Sequence, residues 1–324
     1  MSGIDNIKNP VRKELEEFEM FFRDQAKTPY KALDFILNYV IRRKGKQLRP
    51  LFVFLSAKAS GEITRSTYAA AAMIELLHTA TLIHDDVVDE AYERRGFWSI
   101  NALWRSKVAV LVGDFILSKG LIMAVQHKEY AMLETMSNAV KEMSEGELFQ
   151  MEKTRKMNIT EQDYYDIIRK KTAVLISACT SSGARSAGAS PEVVSRMEKV
   201  GELLGMAFQV KDDLLDFLPT GLTGKPSGND IKEKKLTLPL IHALNQSTAA
   251  EKKAVVSRII KTKRKRLDVD KIVAFVEQKG GIVYAQNKMS DFKEEALSLL
   301  QELPESESRL ALEALANYIV NRKS

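Results

Sequence analysis

The chain has 324 residues, 45% hydrophobic and 28% charged, with a net charge of +6; such a balance suits a globular protein with a sizeable core and a mildly positive, solvated surface. Eight prolines and 16 glycines favour long helices over a strand-rich fold, and the single cysteine, Cys179, excludes an intrachain disulfide and reads as a small core residue. No aromatic-and-basic nucleic-acid module is visible, Met1–Pro10 lacks a signal-peptide core, and no uninterrupted apolar stretch reaches a membrane span, so a cytoplasmic location is expected.

Apolar residues recur at helical spacing over 10–27 and 29–43, with Pro10 at a helix start. A basic break around Gly45 follows, before an apolar helix over 51–60. Five cations about a glycine turn, taken alone, are better read as a solvated loop, but the position between buried helices marks Lys46 and Arg49 as anion-site candidates. The next helix, 68–91, ends in Leu82-Ile-His-Asp-Asp-Val-Val-Asp89. Positions one turn apart share a helix face, so Asp85 and Asp89 stack and Asp86 flanks them. Stacked carboxylates in an apolar helix repel one another and need a cation; Mg²⁺ suits, because it takes oxygen ligands and bridges to phosphates. Arg94 and Arg95 follow at once, able to bind phosphate oxygens in bidentate fashion.

Helices are further expected over 99–107, 108–127, 129–154, 160–186 and 191–218. The last carries Asp212, Asp213 and Asp216, the same Asp-Asp-x-x-Asp spacing 127 residues on. A lone match is as readily a solvated acidic helix end; two copies, both inside apolar helices, point to metal ions held around a polyphosphate. A polar, glycine-rich loop over 219–230 leads to a helix over 236–244, then amphipathic helices over 249–261, 269–279, 282–303 and 306–322. The expected fold is all-α, a single-domain bundle of about a dozen helices spanning 1–324, with the motifs in about 40–245 and C-terminal helices over 249–322.

Taken in order, Gly45-Lys-Gln-Leu-Arg-Pro50, Leu82 to Asp89, Arg94-Arg-Gly96, Lys171-Thr172, Phe208-Gln-x-x-Asp-Asp-Leu-Leu-Asp216, Gly224-Lys225 and Lys235-x-Thr-Leu-Pro239 resemble a trans-polyprenyl diphosphate synthase of the class I isoprenyl diphosphate synthases. The resemblance implies an isoprenoid synthase-like bundle around a central cavity, homodimeric, with three Mg²⁺ ions. It makes Asp85, Asp89 and Asp212 direct metal ligands, and Asp86, Asp213 and Asp216 partly supporting ones. Arg94, Lys171, Lys225 and Lys235 then clamp an allylic diphosphate (farnesyl or geranyl), while Lys46, Arg49, His78 and Arg95 hold isopentenyl diphosphate. Lys171, Thr172 and Gln209 stabilise the allylic cation, and the released diphosphate takes the proton. Gln47 departs from relatives that carry a third basic residue there. The tail Asn321-Arg-Lys-Ser324 resembles basic tails that cap the isopentenyl diphosphate site, though a frayed helix end explains it as well.

Chain length is expected to depend on what lies below the first cluster. Ala80, five residues before Asp85 and roughly 7.5 Å down the axis, stands where makers of short products carry a bulky aromatic; Thr81 and Leu77 lie beside it. The segment 77–113 looks most like the long-chain synthases of quinone side chains, giving an expected product of about C30 to C40, a size set by resemblance alone. The alternatives are a shorter-chain farnesyl or geranylgeranyl diphosphate synthase, and a non-catalytic subunit of a heteromeric synthase, which would be expected to have lost motif residues. Glu75-Leu-Leu-His78 matches half of a di-iron motif, but no second Glu-x-x-His exists.

Overall fold

The computed structural model describes residues 3–42, 47–94, 96–217, 228–261 and 268–322. It is helical almost throughout: α1 (Gly3–Ile7), a 3-10 turn (Asn9–Val11), α2 (Arg12–Ala26), α3 (Lys31–Ile41), α4 (Leu48–Ser60), α5 (Arg65–Val88), α6 (Ile100–Gln126), α7 (Tyr130–Lys156), α8 (Glu161–Ile168), a π-helical turn (Arg169–Ala173), α9 (Val174–Ser186) and α10 (Pro191–Leu215). Then come α11 (Asn229–Lys232), α12 (Leu238–Asn245), α13 (Ala249–Lys261), α14 (Val269–Gln278), α15 (Gly281–Gln301) and α16 (Glu307–Asn321). The expected all-α class is found. Between α5 and α6, β1 (Glu93–Arg94) and β2 (Phe97–Trp98) pair antiparallel, with Gly96 at φ +78° in the turn. Left-handed backbone is what a two-residue hairpin turn demands, and glycine adopts it without penalty.

Two compact units are present: one of Met1–Val140, Ala178–Glu198 and Leu303–Leu312, the other of Lys141–Ser177, Lys199–Glu302 and Glu313–Ser324. In the first, α4 and α5 are the buried helices. Leu51 to Leu55 are at most 1% exposed, as are Ala69 to Ala72, and the Phe54 ring meets those of Phe18 and Tyr68 edge-on. Four consecutive alanines favour helix and present a thin surface, so α6 can lie close along α5. His84 of α5 fills the space left by Gly113 of α6, where an added Cβ would stand 2.2 Å from its Nε2.

The expected division of 99–127 into two helices is found, two residues earlier than expected: Arg105, with φ of 69° and ψ of 163°, is not helical, so α6 is two helical segments meeting at a kink that needs no glycine or proline. By length and composition α6 is apolar enough to cross a membrane, although Asp114 and Lys119 interrupt its apolar run. Ala109, Val112, Gly113, Ile116, Met123 and Ala124 are buried, whereas Val110, Leu111, Leu121, Ile122 and Val125 are exposed along the helix.

In the second unit, Val210 and Leu214 of α10 pack with Leu238, Leu240 and Ile241 of α12 and with Val276, Ala285 and Tyr164. The π-helical turn is held where two helices come close. A Cβ on Gly146 of α7 would stand 2.8 Å from Lys170 Cβ, and one on Gly205 of α10 only 2.4 Å from Ala173 Cα. Glycine at both positions lets the turn press against backbone on either side, which fixes the residues it carries.

Candidate active site

The first acidic cluster closes α5. The helix ends at Val88 and not at 91, with Asp89 as its cap, still in right-handed helical geometry; the Asp89 N–H donates to the Asp85 carbonyl at 2.8 Å. Asp85 and Asp89 therefore keep their one-turn stacking. Asp86 is buried at 6% exposure, Asp85 is half-buried and Asp89 exposed. The hairpin follows at once and is tied back by Ser99, whose Oγ donates to the Ala91 carbonyl at 2.6 Å and accepts the Ala102 N–H at 3.0 Å. That fixes the backbone of Arg94, in β1, beside the cluster in sequence. The Arg94 side chain, Arg95, Lys46 and Lys225 lie outside the described residues, as do Leu218 and residues 219–227 of the expected loop.

Of the residues expected to hold isopentenyl diphosphate, Arg49 on α4 reaches Glu75 of α5 at 4.0 Å, and His78 stands one turn further along α5. Gln47 opens α4 in left-handed backbone, at φ 54°. Below the acidic cluster, Ala80 and Leu77 are buried at 1% and 5%, and the half-buried Thr81 donates from Oγ1 to the His78 carbonyl at 2.9 Å.

The second cluster, near the end of α10, is a set of three acids with three different partners. Asp213 is buried at 4% exposure. It accepts the Tyr164 hydroxyl on Oδ2 at 2.6 Å and the Gln209 Nε2 on Oδ1 at 2.8 Å. Asp216 accepts the backbone N–H groups of Asn229 and Asp230, at 2.9 and 3.0 Å, and so fastens the start of α11 to the end of α10. Asp212 meets Arg322 from the C-terminal end of α16: Nη2 donates to Oδ1 at 2.5 Å and also lies 3.3 Å from the Phe208 carbonyl. The guanidinium carbon stands 4.0 Å from the centroid of the Phe208 ring, a cation–π contact.

Burial pushes the Asp213 carboxyl up to about 8, helped by the charge of Asp230 and opposed by the hydrogen bonds from Tyr164 and Gln209. Asp230 rises to about 6, again through burial first and then through Asp216. Burial also raises Asp216. Several acids thus share a poorly solvated space, an arrangement that favours a bound cation.

Cations line the π-helical turn. Arg169 pairs with Glu142 at 3.2 Å and Lys170 with Glu145 at 2.6 Å, while Lys171 contacts Glu147 and donates to Gln150 Oε1 at 2.9 Å. A π-turn re-aims the residues after it relative to a continuous helix. Thr172 is directed at α10, where its Oγ1 donates to Gln209 Oε1 at 2.8 Å. Lys235 reaches Glu233 at 2.9 Å and its N–H donates to the Asp230 carbonyl at 2.8 Å. The structure therefore brings Thr172 and Gln209 together with the second acidic cluster.

Tyr164, Asp230, Arg322 and Glu147 belong to this site, yet sequence spacing alone does not single them out for these roles. The sequence marks Arg322 only as part of a tail over the isopentenyl diphosphate site; it sits on Asp212 instead. Among the described residues, no three His, Cys, Asp or Glu side chains surround a point that would hold a metal ion by themselves. Asp213 and Asp216 direct their oxygens to protein donors, so the second cluster offers chiefly Asp212. One or two carboxylates per ion suit Mg²⁺, which keeps waters and completes its shell with substrate phosphate oxygens, and do not suit a closed zinc cage.

Two Asp-Asp-x-x-Asp motifs on an all-α fold, with lysine and hydroxyl groups gathered beside the second, fit the class of metal-dependent prenyltransferases, and the comparisons with known proteins show that class. Residues 30–276 match the family model of the polyprenyl synthetases, and the chain belongs to that family. It is 34% identical over 319 residues to the all-trans-nonaprenyl-diphosphate synthase (geranyl-diphosphate specific) of Rhodobacter capsulatus, covering 98% of this chain and 97% of the relative. To the octaprenyl diphosphate synthase of Escherichia coli (strain K12) it is 34% identical over 321 residues, 99% of each. The fold superposes on that of a polyprenyl synthase from Caulobacter crescentus CB15, solved with calcium and isoprenyl diphosphate, with a TM-score of 0.89 and 30% identity, covering 99% of this chain and 98% of the other. The family's substrates are isopentenyl diphosphate and an allylic diphosphate.

The Arg322–Asp212 pair is open to a direct test. Arg322→Ala removes one ion pair, partly exposed on the Asp212 side, and one ring contact, so the metal-free protein loses about 1 kcal/mol, roughly 2 °C in melting temperature. With Mg²⁺ and inorganic diphosphate present, Asp212 has another cation and the deficit shrinks; a deficit unchanged by these additions means that the two cations do not compete for Asp212.

Proposed function

We propose that this chain is a long-chain trans-polyprenyl diphosphate synthase that uses Mg²⁺ and extends an allylic diphosphate, farnesyl or geranyl, to a product of about C30 to C40 for a quinone side chain, a length argued by resemblance. The observation that carries the reading is the second cluster, in which a buried carboxylate binds Gln209 and Gln209 binds the hydroxyl beside Lys171. Asp85, Asp89 and Asp212 would hold Mg²⁺, three ions in all, with Asp86, Asp213 and Asp216 fixing the ligands' geometry. When bound, Mg²⁺ supplies positive charge to the departing diphosphate.

The chain's own groups do the rest. Lys171, Lys225, Lys235 and Arg94 bind and orient the allylic diphosphate, so that its C–O bond breaks with the electron pair going to a diphosphate already neutralised. Thr172 and Gln209, with Lys171's backbone, present oxygen atoms to the allylic cation. Lys46, Arg49, His78 and Arg95 hold isopentenyl diphosphate with its double bond toward that cation. The double bond's electrons form the new C–C bond, and a proton then leaves to the released diphosphate. The paired side chains of Thr172 and Gln209, and the small side chain of Ala80, support this assignment of cation stabilisation and of an open path for the growing chain.

Purified protein with Mg²⁺, isopentenyl diphosphate and farnesyl diphosphate is expected to give products ending at C30 to C40 by mass spectrometry. A ladder stopping at C15 or C20 from shorter primers would place the floor of the path at or above Ala80, and no elongation at all would favour a non-catalytic partner subunit. In the same assay, Asp85→Ala and Asp212→Ala should each lower turnover by about a thousandfold or more with the fold retained. Near-wild-type rates in either variant would remove that residue from the metal site.

We further propose a homodimer, in one domain per chain and in the cytoplasm, with transient membrane contact for product release. The exposed arc of Val110, Leu111, Leu121, Ile122 and Val125 on α6 supports the dimer, because an apolar stripe of that length is costly in water. Sedimentation equilibrium should give the dimer mass at micromolar concentration. A monomer there, or a dimer unaffected by Leu111→Glu, would exclude this face.

A further inference from the structure

Tyr164 adjoins the second acidic cluster but has no role in the chemistry described so far. It lies on α8 at 3% exposure, among Ile168, Ala173, Val210 and Leu214. An aromatic ring in such a setting is ordinary core, and a phenylalanine would fill the same space. The hydroxyl is what needs explaining, because it donates at 2.6 Å to Asp213, a buried acid that is itself bonded to Gln209.

The hydrogen bonds form one chain with one direction. Asp213 accepts on both oxygens, from Tyr164 on Oδ2 and from the Gln209 amide nitrogen on Oδ1. An acceptor at that position turns the amide so that Nε2 faces Asp213 and Oε1 faces the other way. Oε1 then accepts the Thr172 hydroxyl at 2.8 Å. Thr172 spends its only proton there, so the lone pairs of its oxygen are what it can offer to a neighbouring group. Were the amide reversed, its N–H would point at Thr172, and the hydroxyl proton would be the group left to face the site.

We propose that Tyr164 is a positioning residue for the ionisation step: its bond to Asp213 holds the carboxylate in place, and through it sets the orientation of Gln209 and Thr172 so that both present oxygen lone pairs to the allylic cation. Asp213 in this arrangement is an orienting anchor for the cation-stabilising pair. The proposal rests on the prenyl-transfer reading above, because it needs an allylic cation to be stabilised. Tyr164 itself touches no substrate; it acts at the far end of the hydrogen-bond chain.

The test compares two analogues in the presence of Mg²⁺. One carries an ammonium nitrogen in place of the cationic carbon of the allylic diphosphate; the other is the allylic thiolo-diphosphate, whose allylic chain carries no positive charge. Tyr164→Phe should bind the ammonium analogue roughly ten-fold more weakly and lower kcat by a similar factor. The thiolo-diphosphate affinity and both KM values should stay within about two-fold, since the diphosphate contacts are untouched. Equal weakening of the two analogues would make Tyr164 structural only, and no change in either would overturn the proposal. If the single variant does not fold, Tyr164→Phe/Asp213→Asn removes the donor and the buried charge together, and the same ratio of affinities decides. Wild-type elongation, measured alongside, keeps the two readings apart: normal elongation with an indifferent Tyr164→Phe sinks this inference and leaves the prenyltransferase standing.

Discussion

Putting carboxylates inside apolar helices is the constraint around which the second unit is arranged. An acid at 4% exposure is costly to ionise unless each oxygen finds a donor. The structure answers each member of the α10 cluster separately: Tyr164 and Gln209 for Asp213, the first N–H groups of α11 for Asp216, and Arg322 for Asp212. These answers tie α8, α11 and the end of α16 to one turn of α10. Three segments far apart in sequence are thus located by the same few charges, and the residual cost, expressed in the raised Asp213 and Asp230 carboxyls, is an appetite for a cation.

The basic side follows from backbone packing. Gly146 and Gly205 admit the π-helical turn between α7 and α10, where any Cβ would meet its atoms below contact distance. That close fit sets Thr172 against Gln209 and puts Lys171 within reach of Glu147 and Gln150. Lysine held by acids on one protein helix is well placed but not spent: a diphosphate with its higher charge density competes for the same ammonium group. Fold and chemistry meet in that turn.

Much of this is legible in the sequence. The helices announce themselves by apolar spacing, and both acidic motifs fall on the expected helices because their flanks are apolar on every side. Other features depend on contacts that sequence spacing does not encode. Tyr164 looks like any aromatic in an amphipathic helix until Asp213, 49 positions away, is seen on its hydroxyl. Asp230 is hidden in a polar, glycine-containing stretch, and Arg322 at a terminus where fraying is the ordinary expectation. The bend in α6 falls at Arg105, with a positive φ that no local propensity rule assigns to arginine.

On the proposed function, the clustered acids serve a cation that in turn serves a diphosphate. Calorimetric titration of the allylic thiolo-diphosphate, which does not readily ionise, into the protein, with and without Mg²⁺, tests this relation most directly. Binding that depends on Mg²⁺ in the wild type and is lost in Asp212→Ala is the expected result. Equally tight binding with the divalent ion removed, or undiminished Mg²⁺-dependent binding in Asp212→Ala, would contradict it.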